Sequence, residues 1–456
     1  MMRIGYYAHH HGSGHCRQAD KLAALLPNDA RAQLTVFTSL DINGYRFTAI
    51  DEQQIVRLNA EDERSDDILA GRAGEYWQPA SLHYSPIGNS DIQKRSHQIL
   101  DTIFQRKIDL MIIDVSVEVA MLCRAASIPY LYVRLPGIRD DAPHSGAFSG
   151  SLALLAPYPK ALESTHTSEW VCDKTLYLDF IYTQKTELCT YESFIDILAK
   201  LSAGSEISVP KSTRLSSIEA QLTDKSKATT PIITVIKGYG GHKAIDEKLP
   251  ELRSLLPNAL IVSLGPIDDD KRCYVDISAE VDDVTPFICH SDYLMMACGL
   301  NAVAQVYNYD TPLIVVPDDR PHNEQAVMAE ALVTQNKALN WQQFKTLMSV
   351  NNGQPESIDQ AINTRSKQHP TTSVDSLKKN DVEEDSSKET NAAMSTDAQA
   401  FMHSTTDYPT TKRWFENWLL PRLNLTPEST IKDCLIKNNR QLDSETKIND
   451  DHSANE

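Results

Sequence analysis

Apolar positions fall into short, nearly continuous runs separated by longer stretches with helical spacing. Residues 3–8, 34–38, 109–114 and 129–134 are such runs, rich in Ile, Val, Leu and Tyr. Runs of that length, apolar on both faces, predict buried strands of a parallel sheet. Leu22, Leu25 and Leu26 recur at helical spacing after the first run, and 91–106 and 117–126 read as helices. Strand, helix, strand in alternation implies a parallel sheet with helices on both faces. The polar segment from about 61 to 89, broken by Gly and Pro, predicts a long loop.

Periodicity fades over 201–230, where Ser, Thr, Lys and Pro accumulate, and then restarts. Strands are predicted at 231–236 and 259–263, the first followed by the turn Lys237-Gly238-Tyr239-Gly240-Gly241. A strand at 293–297, a glycine turn, a helix from about Asn301, a strand at 312–317 and a helix from about His322 complete the pattern. Two βα halves, each with a glycine turn after its first strand, predict an α/β fold of two doubly wound domains facing across a cleft. The expected division is 1–200, a linker or exposed insertion over 201–230, and 231–350. Beyond Val350 large apolar residues become too sparse to form a core, which predicts a disordered insertion over 351–404. A closing helix over 405–425, docked through Trp414 and Trp418, and a mobile tail over 426–456 are expected after it.

The net charge of −18 argues against a nucleic-acid binder held by phosphate contacts and against strong anchoring to anionic lipid. The eight scattered cysteines form no Cys-x-x-Cys, which points to reduced thiols in a cytoplasmic protein. Neither a signal peptide nor a span-length apolar run is present, leaving room only for peripheral membrane contact.

The stretch Cys298-Gly299-Leu300-Asn301 delivers a helix N-terminus to the carboxyl edge of the second sheet. Free amides and the positive dipole end favour a phosphate there, with Asn301 suited to the N-cap. Gly238 and Gly240 permit close backbone approach, or simply a tight strand-helix turn. Gly12-Ser13-Gly14 looks like the start of a dinucleotide fingerprint, but the third glycine position holds Arg17. The run His9-His10-His11 reads as loop polarity, since adjacent positions rarely converge on one ion. Asp268-Asp269-Asp270 reads as a solvated turn; no metal site is expected.

Taken in order, Gly12-Ser13-Gly14-His15, Gly238-Tyr239-Gly240-Gly241 and the Gly299 to Gln325 region resemble a known family. The chain resembles the GT-B nucleotide-sugar glycosyltransferases, nearest the branch of the peptidoglycan lipid-intermediate N-acetylglucosaminyltransferase. The resemblance covers residues 3–335 and includes the helix around Trp414. It implies two Rossmann-like domains and a metal-independent, inverting hexosyl transfer with no cofactor. A UDP-sugar co-substrate would sit mainly on the second domain, with an unidentified acceptor over the first. Carried over by position, Gly299, Leu300 and Asn301 would lie under the diphosphate, and Gln325, beside Glu324, would contact the sugar. Gln305 stands where the family usually has a ribose-gripping glutamate, and Met328 where an asparagine is common. A neutral amide holds hydroxyls more weakly than a carboxylate, which leaves altered donor preference or lost turnover open.

Sugar transfer requires a stabilised leaving diphosphate, a deprotonated acceptor and excluded water. His15 is the candidate base, at the start of a helix whose dipole is expected to keep its ring neutral; capping its helix is the bland alternative. Asp114, ending its strand, is the second candidate. Arg17, with Gly14, is a candidate for the diphosphate, or else a solvated first-turn arginine. Arg139, Asp140 and His144, in the charged turn after the 129–134 strand, are acceptor candidates or a salt-bridged loop. Two rivals share the architecture: a non-hydrolysing sugar-nucleotide epimerase and an inactive nucleotide-sugar-binding protein.

Overall fold

The computed structural model describes residues 2–9, 13–59, 87–180, 189–204, 230–238 and 242–350, with Leu82, Ser85 and Pro421. The expected insertion, the closing helix with Trp414 and Trp418, and the tail lie outside the described residues, as do His10 to Gly12 and most of the 61–89 loop.

Two all-parallel sheets form the body. The first runs β1 (Ile4–Tyr7), β2 (Thr35–Thr38), β3 (Ile55–Arg57), β4 (Leu110–Asp114), β5 (Tyr130–Val133), β6 (Ala153–Ala156) and β7 (Thr175–Tyr177). The second runs β8 (Ile232–Ile236), β9 (Leu260–Leu264), β10 (Ile277–Ala279), β11 (Tyr293–Met296), β12 (Leu313–Val315) and β13 (Leu339–Asn340). In space the orders are β3-β2-β1-β4-β5-β6-β7 and β10-β9-β8-β11-β12-β13. Both reverse direction beside their first strand, the doubly wound order whose switch point opens a crevice at the carboxyl edge. The expected α/β class is what the topology shows. The strands missed in sequence, β3, β6, β7, β10 and β13, are two to four residues long, too short to display a period.

Each strand feeds two cores because neighbouring side chains point to opposite faces. Along β4, Leu110 and Ile112 pack with Ile4 and Tyr6, while Met111 and Ile113 pack with Tyr7 and Tyr132 on the other face. The covering helices include α1 (Gly14–Leu25), α2 (Ser90–Arg106), α3 (Val117–Ala125) and α4 (Ala142–Gly150), followed by α5 (Tyr191–Gly204). After β8 come α6 (Leu249–Leu255), α7 (Thr285–His290), α8 (Leu300–Val306), α9 (Glu324–Thr334) and α10 (Trp341–Val350). None is long and apolar enough to cross a membrane.

Local chemistry sets the helix starts on the first lobe. Asn89 Oδ1 accepts from the amides of Asp91 and Ile92 at the head of α2, and Ser116 Oγ from that of Val119 at the head of α3. Helix α5, which sequence placed at the end of the first domain, buries Phe194 and Leu198 against Ile232, Leu260 and Phe287 of the second. Its apolar face therefore belongs to the second lobe's core. The lobes also share a core, in which Tyr158, Leu162 and Phe180 pack with Met296, Val303 and Leu332.

Gly265, at the end of β9, has φ +96°, and a Cβ there would fall 2.4 Å from the Lys237 carbonyl oxygen. Gly265→Ala is expected to destabilise the fold by about 2 kcal/mol or more, since backbone rather than a movable side chain must yield. Thermal unfolding checks this: Tm should drop by roughly 4 °C or more, and an unchanged Tm would refute the close approach.

Candidate functional site

The carboxyl edges of the two sheets meet. Gly14 lies against Asn301, a Cβ at Gly14 falling 3.5 Å from Asn301 Nδ2, and Lys21 Nζ donates to Asn301 Oδ1 at 3.2 Å. In the loop after β5 the Ile138 amide donates to the His322 carbonyl at 2.8 Å, and Arg139 forms an ion pair with Glu324. Gly137 makes this crossing with φ +122°, where a Cβ would be 2.7 Å from the His322 carbonyl oxygen. Four non-glycine residues here take left-handed backbone: Val115 after Asp114, Cys298 before Gly299, and His322 with Asn323 before Glu324. Such conformations cost about 1–3 kcal/mol each and collect where geometry is held for function.

His15, the second residue of α1, and Asp114, the last of β4, form the centre. His15 Nδ1 lies 2.9 Å from Asp114 Oδ2, with the carboxylate side chain 1% exposed and the imidazole 17%. Tyr6 OH donates to the same oxygen at 3.4 Å, and burial, reinforced by Asp114, pushes the Tyr6 phenol well up. The other oxygen, Oδ1, is buried with no partner among the described residues. A carboxylate accepts only, so Nδ1 carries the ring hydrogen and Nε2 keeps the lone pair. The expected cause, a helix dipole that disfavours the charged ring, does not prevail. Burial does act to lower the His15 pKa, but the Asp114 charge and hydrogen bond outweigh it, and the net shift is upward. A full carboxylate at contact outweighs the half-charge of a helix end. Asp114, expected as a second candidate base, is buried behind the ring and bonded to it.

Across from His15, the expected Asn301 cap is also corrected. Gly299 occupies the N-cap position without a side-chain bond, and Asn301 turns its amide to Lys21 instead. The left-handed residue of this glycine turn is Cys298. A Cβ on Gly299 would meet nothing within 4 Å, so the backbone there faces open space. Leu300 and Gln305 are half-buried, and Arg17 is exposed on α1. Lys21 escaped the sequence reading, although it lies one turn from Arg17 on the same helix face. Burial, then Arg17, lowers its pKa to about 8.

Gly238 is exposed, while Tyr239 and Gly240 lie outside the described residues. Before Gly238, Lys237 Nζ and Asp246 Oδ1 form a buried pair at 2.7 Å, with Asp246 Oδ2 accepting from the Asp268 amide at 2.9 Å. Gln325 is buried, and its Oε1 accepts from the Asp318 amide at 2.8 Å, so the amide oxygen holds the turn before α9. Met328 belongs to the apolar core the lobes share. Core packing accounts for a methionine at that position.

Of the acceptor candidates, Arg139 and His144 come together and Asp140 does not. Arg139 Nη1 lies 3.4 Å from His144 Nε2, whereas Asp140 is exposed. Asp141, unassigned in sequence, accepts from the His144 amide at 2.9 Å as the cap of α4 and from its ring at 2.8 Å. Burial works to raise the Asp141 carboxyl, but the His144 amide and ring bonds prevail and lower it. His322 reaches over from the second lobe to 4.8 Å between ring centres; burial, Arg139 and His144 lower its pKa to about 4. Among the described residues, two groups each bring three potential ligand atoms within 4.8 Å of one another, Asp141 with His144 and His322, and His242 with Asp246 and Asp268.

No family model matches the chain, and no curated protein matches it. Solved structures that align with it include MurG of Acinetobacter baumannii, 13% identical, covering 80% of this chain and 100% of that one, at a TM-score of 0.47. The glycosyltransferase of kitacinnamycin is 11% identical over 80% of this chain and 94% of its own, at 0.49. The UDP-GlcNAc 2-epimerase from Neisseria meningitidis, bound to UDP-GlcNAc, is 13% identical over 80% and 100%, at 0.37. None of these reaches a TM-score of 0.5, and none assigns chemistry to this chain.

The Arg139–Glu324 pair and the Ile138 bond close the lobes together. Arg139→Gln should therefore raise hydrogen exchange at the Ile138 amide by about tenfold or more while leaving Ile113, in the core of β4, protected. Equal exchange in both proteins would show that the pair does not hold the lobes.

Proposed function

We propose that the chain is a glycosyltransferase that moves a hexose or N-acetylhexosamine from a UDP-sugar to a hydroxyl or amine acceptor. The observation that carries the reading is the Asp114–His15 pair, set where two carboxyl edges meet and facing the uncovered turn at Gly299. A base with its second nitrogen bonded to a buried carboxylate is fixed in tautomer and direction. Such a base suits removal of one proton from an acceptor held over the first lobe.

In the proposed step His15 Nε2 takes the acceptor proton while the acceptor oxygen or nitrogen bonds to the anomeric carbon. The bond from that carbon to the β-phosphate oxygen breaks, and its electron pair leaves with UDP. Direct displacement inverts the anomeric centre. Asp114 stabilises the imidazolium that forms, which later gives its proton to solvent. Glu324, beside Gln325 at the head of α9, is in reach of the cleft to bond sugar hydroxyls, and the Gly299 turn receives the leaving diphosphate. Residues 137–144 supply the acceptor side. No step calls for a metal or a cofactor.

UDP at millimolar concentration should raise Tm by binding the folded form selectively. Conversion of a UDP-sugar to its 2-epimer without acceptor would replace this reading with the isomerase. UDP binding with equal inactivity of wild type and His15→Ala would replace it with a binding protein.

The His15 ring must be neutral to accept, so kcat/KM should rise with pH through its pKa. Asp114 raises that pKa, which places the acid limb above the ordinary imidazole value of about 6.5. In Asp114→Asn burial remains and the carboxylate is gone, so the limb should move to lower pH while the rate falls about 10²–10⁴-fold. A pH–rate profile with an unmoved limb in Asp114→Asn would remove His15 from the role of base.

A further inference from the structure

Three positions along α1, Gly14, Gln18 and Lys21, follow one another at four- and three-residue steps and form a single stripe. Both ends of the stripe touch Asn301, Gly14 through close approach and Lys21 through its 3.2 Å bond. Gln18 lies between them, so the helix turns it toward the same turn of the second lobe. Its side chain is 6% exposed, and its Nε2 has no hydrogen-bond partner among the described residues. Buried donors are nearly always satisfied, and one left without a partner among the described residues, beside the contact between the lobes, is a position that a ligand oxygen would complete.

Lys21 is likewise under-satisfied. Its hydrogen bond goes to a neutral amide oxygen. The neighbouring carboxylate, Asp20, is fully occupied by Tyr45 OH, the amides of Thr48 and Ala49, and Thr48 Oγ1. A largely buried ammonium without a carboxylate among the described residues is a poor arrangement for an empty protein and a good one for an anion site. Opposite it, Cys298, Gly299, Leu300 and Asn301 carry no charge. A diphosphate leaving there would find its counter-charge on the first lobe.

We propose that Lys21 and Gln18 are donor-binding residues, which hold the diphosphate of the nucleotide sugar from the first lobe against the Gly299 turn of the second. The assignment rests on the glycosyltransferase reading for the identity of the anion, but not for the existence of an anion site. On binding, a phosphate oxygen replaces Asn301 Oδ1 as the partner of Lys21 Nζ, and a second oxygen accepts from Gln18 Nε2. Charge-assisted bonds are shorter and about twice as strong as neutral ones, which favours the exchange. Because the anion is gripped from both sides, the donor itself draws the lobes together over the reacting carbon.

The test is calorimetric titration of the full chain with uridine, UDP and inorganic pyrophosphate. It compares wild type, Lys21→Met, Lys21→Arg and Gln18→Met, each first checked for an unchanged far-ultraviolet spectrum and Tm. Lys21→Met should weaken UDP and pyrophosphate roughly 10- to 100-fold and leave uridine unchanged, with partial recovery in Lys21→Arg. Gln18→Met should weaken UDP about 3- to 10-fold. Equal UDP and pyrophosphate affinities in wild type and Lys21→Met would overturn the assignment. Lys21-dependent pyrophosphate binding without UDP binding would keep the anion site and overturn the nucleotide-sugar reading. A wild type that binds neither would overturn both.

Discussion

A carboxylate buried at the end of a strand has to be compensated, and much of the site follows from how Asp114 is. Strand β4 is central in the first sheet, paired on both sides, so its last side chain emerges inside the protein and not at a rim. Tyr6 from the adjacent strand supplies one hydroxyl, too little for a full charge at 3.4 Å. The stronger partner comes from α1, whose first turn is brought over the strand by the loop after β1, and that partner is His15. Removing either member leaves the other in a low-dielectric setting without its partner, the costly case for buried polar groups. The same bond that keeps Asp114 inside also selects the tautomer of His15 and raises its basicity. Burial of the sheet end and the basicity of His15 depend on one interaction.

The second lobe is placed by that arrangement, not merely beside it. Its chain crosses to the first at Asn301, His322 and Glu324, in the segments that follow β11 and β12; His322 is itself left-handed, Glu324 follows left-handed Asn323, and Asn301 lies three residues beyond left-handed Cys298. Left-handed backbone at Val115 and Cys298 is unfavourable for any residue with a Cβ and most of all for a β-branched one. It persists because the strands and helices on either side fix the path between them. The tight turns that result follow Asp114, buried at the end of its strand, and precede Gly299, which faces open space, so both residues are held next to rigid elements. Gly137 has the complementary role, letting the first lobe approach the His322 carbonyl more closely than any side chain would allow.

Most of the sheet architecture was legible because buried parallel strands are long apolar runs, and β1, β4, β5, β8, β9 and β11 lie within a residue or two of their predicted limits. β3, β6, β7, β10 and β13 were not: they have two to four residues, and all but β6 lie at a sheet edge. Helix α5 was misassigned because an amphipathic helix announces that it has an apolar face and not which core will receive it. In the site, residue types were readable and partnerships were not. His15, Asp114, Arg139 and His144 stood out as chemistry-bearing residues near strand ends. That His15 bonds Asp114, from 99 positions away, or that Arg139 bonds Glu324, from 185 away, depends on strand order. Asn301 illustrates the limit. Its propensity to cap was sound, but a tertiary partner, Lys21, outweighed the local one.

The charge balance of the cleft constrains what can leave from it. On a chain of net charge −18, an anion meets a repulsive field unless cations are placed locally. Arg139 is the obvious cation at the crossing, yet it is paired with Glu324 and so close to neutral as seen from outside. Lys237, the cation of the second glycine turn, is paired with Asp246. Among the described cations named at the cleft, that leaves Arg17 and Lys21, both on α1, both without a carboxylate partner among the described residues. Helix α1 thus presents the proposed base and this charge from one rigid element, His15 at the first turn and Lys21 nearly two turns on. A substrate that engaged both would be held with its reacting carbon near the base and its leaving group near the charge, and the spacing between the two is set by helix geometry alone.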